Sequence, residues 1–416
     1  MNATLKMNAF DIDADNNSFE PIRRKMQRPE PRRRPQGGFQ NRRRKHHTWG
    51  VGASARLADL RAFAGAVVMM LVAMASSASA DGFTNFTWNK VRDSGNANAP
   101  SGFGAVSKNF VISSYETTNS QYAYFLNNSE AGRKNQYGVY NTLMNPSVSG
   151  TSTFGSLNSG IVQTFNASTQ TYSYTVVAGM ENRPANYMDW FSAARFVNWY
   201  ANGARATSST ETGSYTLVSG STHITSGAIV ARNAGARVYL PNANEWTKAA
   251  YYNGATASYK LYPTDSNNSP TGTINTNTAT TPNVTQPNTA NFAQQFVANV
   301  SGVTTDVGTY TNTRSTYGAF DMLGNVTEMT DTSNASGSFL PFGGGFSSLT
   351  LSRWTSNYVP LASDYRTGST FNQNLGFRVA AVPEPGNMVA AALGVGALIA
   401  VHMVKRRKPA LARVAA

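Results

Sequence analysis

Asp321-Met322-Leu323-Gly324-Asn325-Val326-Thr327-Glu328 sets two carboxylates around a glycine, in a chain of 416 residues that contains no cysteine. Glycine lets backbone fold back on itself. Carboxylate and carbonyl oxygens are what a hard cation such as calcium binds. The stretch therefore suits an ion-holding loop better than a catalytic carboxylate pair. The other reading is that Asn325 and Glu328 only brace a turn. Downstream, Gly343-Gly344-Gly345 lacks the Lys-Ser/Thr of a phosphate loop. It reads instead as a place where backbone passes close to a ligand or a neighbouring strand.

The formal charge of +14 is carried by the ends. Residues 1–61 hold 14 Lys or Arg against 6 Asp or Glu, residues 405–416 hold 5 against none, and 62–404 hold 16 against 15. A nucleic-acid-binding domain carries its basic footprint on the folded part, so no nucleic-acid partner is expected. The alternative is that runs such as Arg32-Arg33-Arg34 and Arg42-Arg43-Arg44-Lys45 contact nucleic acid themselves. The basic start leads instead into an apolar run, Phe63 to Ala75, and a small-x-small site at Ala78 and Ala80. That order is a secretory signal peptide, and the mature chain is expected to begin at Asp81. A real amino-terminal extension and a later start methionine both remain open.

At the other end, Pro383-Glu384-Pro385 precedes an apolar segment, Met388 to Val404, and the cluster Lys405-Arg406-Arg407-Lys408. The apolar segment is just long enough to span hydrocarbon, with the basic cluster held on the cytoplasmic side. Motif, apolar helix and basic end together resemble the PEP-CTERM sorting signal of Gram-negative envelope proteins. The resemblance implies a sorting protease as partner and release or re-anchoring at the cell surface; an ordinary membrane anchor is the alternative. Three segments follow: 1–80, basic extension and signal peptide; 81–381, ectodomain; 382–416, sorting signal.

The ectodomain is rich in Asn, Thr, Ser, Gly and Tyr. Three helices are expected. One covers 188–200, with Trp190, Ala193, Ala194, Val197 and Tyr200 on one buried face. A second covers 242–252 after Pro241, and a third covers 118–126, capped by Thr118 or Asn119. Trp190 and Trp246 read as core, whereas Trp199 has no obvious place. Polar stretches at 145–172, 205–225 and 263–290 read as long loops or hairpins. Ser214–Ser219, Ala228–Ala231 and a closing segment, Asn374–Ala381, read as strands.

Six landmarks then occur in order: Tyr115-Glu116-Thr117-Thr118-Asn119, Met188-Asp189-Trp190, Val238-Tyr239-Leu240-Pro241 with Glu245-Trp246, Tyr317-Gly318 through Glu328, Phe342-Gly343-Gly344-Gly345-Phe346, and Gly376-Phe377-Arg378-Val379. In this order they resemble the formylglycine-generating enzymes, also called sulfatase-modifying factors, over about residues 105–381. The resemblance implies an α+β, C-type-lectin-like fold with much irregular structure. It also implies a calcium site at Asp321, Gly324, Val326 and Glu328, with carbonyls at Gly324 and Val326. A second calcium site would start at Asn291 and Phe292 and draw on residues near Asn299 and Ser301.

The departures bear on activity. By the resemblance, the two copper-binding cysteines of the oxidases fall on Ser348 and Arg353, neither of which can give a thiolate. No copper is expected, and with His223 the single histidine of the ectodomain, neither is a histidine-bound metal. Ser348, Arg353, Trp354, Tyr358, Tyr365 and Arg366 lie where the family groove should be and form the candidate ligand surface. Two function classes follow. One is a non-catalytic, calcium-stabilised envelope protein that binds glycan or protein. The other is a divergent enzyme with a non-cysteine site, for instance with Asp189, Glu245, Asp321 and Glu328 meeting as hydrolytic carboxylates. The second needs convergent ionisable residues in the groove, and the sequence puts only Arg353, Asp364 and Arg366 near it, without a base–nucleophile pair.

Overall fold

The computed structural model of the chain describes residues 85–149, 160–217, 230–272, 284–292, 303–348 and 350–383. The two apolar segments, the cleavage site, His223, Asn299, Ser301, Glu384 and Pro385 lie outside the described residues. Among the described residues no helix is long and apolar enough to cross a membrane.

Strand β1 (Trp88–Val91) pairs antiparallel with β2 (Phe110–Ser113). Helix α1 (Asn119–Asn128) follows, closed by a capping box. Thr118 Oγ1 accepts from the Gln121 amide at 3.3 Å, and Gln121 Oε1 accepts from the Thr118 amide at 2.9 Å. Two orphan donors of the first turn are thereby satisfied. The polar stretch after it contains a hairpin, β3 (Ile161–Asn166) against β4 (Thr171–Val176).

Helix α2 (Trp190–Ala201) starts on Asp189, whose Oδ1 accepts from the Ser192 amide at 2.7 Å. An apolar stripe predicts one buried face, but every residue from Trp190 to Trp199 is buried. The segment 205–217 covers the far side. Glu211 there pairs with Arg195 at 2.8 Å, and the Arg205 carbonyl accepts from Trp199 Nε1 at 2.9 Å. This is where Trp199 belongs, with Phe125 and Phe196 beside it.

Next come β5 (Val238–Tyr239) and helix α3 (Ala243–Tyr251), which has a reciprocal cap between Asn242 and Glu245. Short strands β6 (Thr327–Glu328), β7 (Leu375–Gly376) and β8 (Ala380–Ala381) finish the fold. β8 lies between β2 and β5, so the central sheet runs β1-β2-β8-β5 and both ends of the domain share one sheet. β6 and β7 pair in parallel.

Two expectations need correction. The closing segment 374–381 is two short strands, because it changes partners: 375–376 pairs with β6, and 380–381 lies between β2 and β5. The described parts of 214–219 and 228–231 form no strand, only an isolated bridge between Tyr215 and Arg232. The reason is local: the Asn198 side chain takes both backbone groups of Tyr215, at 2.8 and 3.0 Å, where a strand partner would stand.

One core joins these elements. Trp190 stacks on Phe339 with centroids 3.9 Å apart, and Phe196 packs against Tyr122, Phe125 and Phe377. Trp190 and Trp246 are fully buried, as their helical faces predict.

Candidate functional site

Two places gather the predicted residues. The first is the loop 321–328 and what lies beneath it. Gly324 has φ +86°, and a Cβ there would sit 2.1 Å from the Asn291 carbonyl oxygen. That approach pairs Asn291 with Gly324 in a parallel bridge, so the two stretches predicted as separate calcium sites meet. The Asn325 amide donates to Asn291 O at 2.8 Å, and Asn291 Nδ2 donates to Val303 O and Asn325 Oδ1. Phe292 is buried against Leu323.

Below the loop, Glu328 and Arg378 form a fully buried ion pair. Glu328 Oε2 accepts from Arg378 Nε and Trp246 Nε1, both at 2.6 Å, and Oε1 accepts from Arg378 Nη2 at 2.5 Å. Glu116 joins them from the opening motif, accepting from Val326 N at 3.0 Å and Asn325 Nδ2 at 2.8 Å. Asp321, at φ +55°, accepts from the Gly308 amide at 2.6 Å. Arg378 thus bonds one carboxylate, Glu328, while its charge also acts on Glu116 and Asp321. Burial pushes the Asp321 carboxyl up to about 6. Burial, then the charges of Asp321 and Glu328, push Glu116 well above the usual range.

Fully ionised, these carboxylates would outnumber the one guanidinium, and a hard dication is the kind of charge that would balance them. Among the described residues no three His, Asp or Glu side chains converge on a metal position, so backbone carbonyls must complete any site. Asp321 is the carboxylate with acceptor capacity to spare, since one amide, that of Gly308, donates to it. Glu328 is largely consumed by Arg378 and Trp246 and contributes charge more than a ligand atom.

The second place is a cavity of about 210 Å³ lined by Ser348, Arg353, Trp354, Tyr358 and Arg366, five of the six predicted groove residues. Tyr365 stands outside its lining. Asp364 is tied down: Arg353 Nη1 donates to Oδ1 at 2.9 Å, and Tyr358 Oη and Leu361 N donate to Oδ2 at 2.7 Å. The glycine run works as its sequence implies. A Cβ at Gly344 would meet the Trp354 ring at 2.6 Å, and one at Gly345 would meet Asn374 at 2.8 Å.

The four carboxylates considered as a hydrolytic set do not form one. Asp189 caps α2, and Glu245 caps α3 and pairs with Arg232 at 2.7 Å. Glu328 faces Arg378, and none of the four lines the large cavity. Glu116 stands in the polar opening motif 115–119 and Arg378 in the apolar closing motif 376–379, neither singled out as a site residue, and Asn372 and Asn374, which line the cavity, carry no signal.

Comparison with known proteins gives the family. A family model described as the sulfatase-modifying factor enzyme 1-like domain matches residues 81–382. Among solved structures, CarF matches at 15% identity over 72% of this chain and 100% of its own, with a TM-score of 0.40. Treponema denticola variable protein 1 matches at 14% identity over 73% and 98%, with a TM-score of 0.35. PvdO from Pseudomonas aeruginosa matches at 13% over 72% and 91%, with a TM-score of 0.34. No curated protein matches. On the family match, which takes in both the charged loop and the cavity, the chain belongs to the sulfatase-modifying factor enzyme 1-like family.

Proposed function

We propose that the chain is an exported envelope protein whose family domain binds a glycan or protein ligand in the 348–366 cavity without oxidising it. One observation carries this reading. The cavity is lined by Ser348 and Arg353, the two positions where the family resemblance puts the copper thiolates, together with Trp354, Tyr358 and Arg366. An aromatic plate with a few fixed polar groups is the composition of a recognition site. The cavity's one carboxylate, Asp364, is held by three internal donors.

Calcium is part of the same proposal. Asp321 with the Gly324 and Val326 carbonyls would hold it, and when bound it neutralises the charge left over by Arg378. Export rests on the basic segment, the apolar run 63–75 and the small-x-small site. Surface sorting rests on Pro383-Glu384-Pro385, the apolar segment and the basic end.

The test is a glycan and peptide array probed with the full chain and with its Trp354→Ala variant. Specific binding that the variant loses, at unchanged melting temperature, is expected. Binding untouched by the variant, or no binding on either array, would overturn the assignment.

A further inference from the structure

The polar atoms of this cavity are unevenly used. Its carboxylate, Asp364, has both oxygens engaged. Arg366 donates through Nη1 to the Ser363 and Tyr365 carbonyls, at 2.6 and 3.3 Å, and among the described residues it has no carboxylate partner. Arg353 spends one nitrogen on Asp364, which leaves Nε and Nη2. Two guanidiniums against one carboxylate make the lining net positive and rich in donors. The lining also carries the hydroxyl of Ser348 and the amide of Asn372 beside these charges.

Resting on the ligand-binding reading above, we infer that the cavity takes an acidic saccharide, a sugar carrying a carboxylate or sulfate group. The anion supplies what Arg366 and the remaining nitrogens of Arg353 lack, through charge-assisted hydrogen bonds. Sugar hydroxyls both donate and accept, so beside the anion they suit the Ser348 hydroxyl and the Asn372 amide of the lining, which an acidic side chain alone does not. The ring faces of Trp354 and Tyr358 supply the apolar surface for a pyranose. A volume of about 210 Å³ falls below the roughly 300 Å³ at which drug-sized pockets begin. It holds the end of a saccharide rather than a long stretch of it.

The test uses the full chain and matched pairs differing only in charge: oligogalacturonate with its methyl ester, and dextran sulfate with dextran. Poly-glutamate is the peptide control. At least one acidic member is expected to bind about tenfold tighter than its neutral partner, which is what one lost hydrogen bond to a charged group costs. Arg366→Gln should remove most of that difference, and Arg353→Gln, checked by melting temperature, guards against misfolding of the first variant. Added salt should weaken the acidic member selectively. The carboxylate and sulfate pairs tell which anion is preferred. Equal binding of acidic and neutral members would overturn the inference and leave the ligand-binding reading standing. Tighter binding of poly-glutamate than of either acidic saccharide would overturn it in favour of a peptide ligand. Failure of all five probes to bind overturns it, and if the arrays are also blank the broader reading falls with it.

Discussion

At the residue scale, two positions carry most of the specificity of the 321–328 loop. Gly324 combines φ +86° with a neighbour that leaves no room for a methyl group. The left-handed conformation alone costs a non-glycine residue about 1–3 kcal/mol, and the clash with Asn291 O adds to it. Gly324→Ala is expected to lower the denaturant midpoint of the full chain sharply, or to prevent folding. A variant with a wild-type midpoint would show that the loop takes another path. Arg378 is the second position. It is the one cation facing Glu116, Asp321 and Glu328, so Arg378→Met strands a fully buried Glu328. Removing one partner of a buried pair costs about 3–5 kcal/mol, and chemical denaturation should show a loss of that order. A loss below ~1 kcal/mol would mean that water reaches the pair.

At the element scale, caps and side-chain clamps replace long strands. Helices α1, α2 and α3 were legible because each pairs an apolar period with a cap: Thr118, Asp189 and Asn242. The described residues around 215 form no strand, and the sequence did not show this because periodicity carries no trace of a distant amide. Asn198, on the second helix, satisfies the backbone of Tyr215 from 17 residues away and also holds Thr210 O. Asn198→Ala should therefore cost more than the loss of a cap at Asp189→Ala, which is about 1 kcal/mol. Hydrogen exchange should locate the added opening at residues 210–217. Equal and evenly spread effects would argue against the clamp.

At the scale of the molecule, the order of six motifs conveyed the family, because each lies at a junction the fold must close. The groove was legible to five residues, yet the pairing of Arg353 and Tyr358 with Asp364, and the place of Asn374 beside them, came only with the tertiary structure. The buried charge cluster predicts how the calcium-free protein responds to pH. Asp321 is raised from 3.8 to about 6 in the folded chain, and Glu116 is raised as well, so the folded state binds protons that the unfolded chain releases. That contribution is complete below the unfolded value and is lost as pH rises through about 6. In chelator, the melting temperature of wild type relative to Asp321→Asn should fall over that window, and calcium should reverse the fall for wild type. Parallel profiles, with no calcium response, would remove both the buried surplus charge and the ion.

The most direct test of ligand binding at the 348–366 cavity is a crystal structure of the full chain with its tightest array ligand. We predict ligand density against Trp354 and within hydrogen-bonding distance of Arg366. Density elsewhere on the chain, with that cavity empty, would contradict the proposed site.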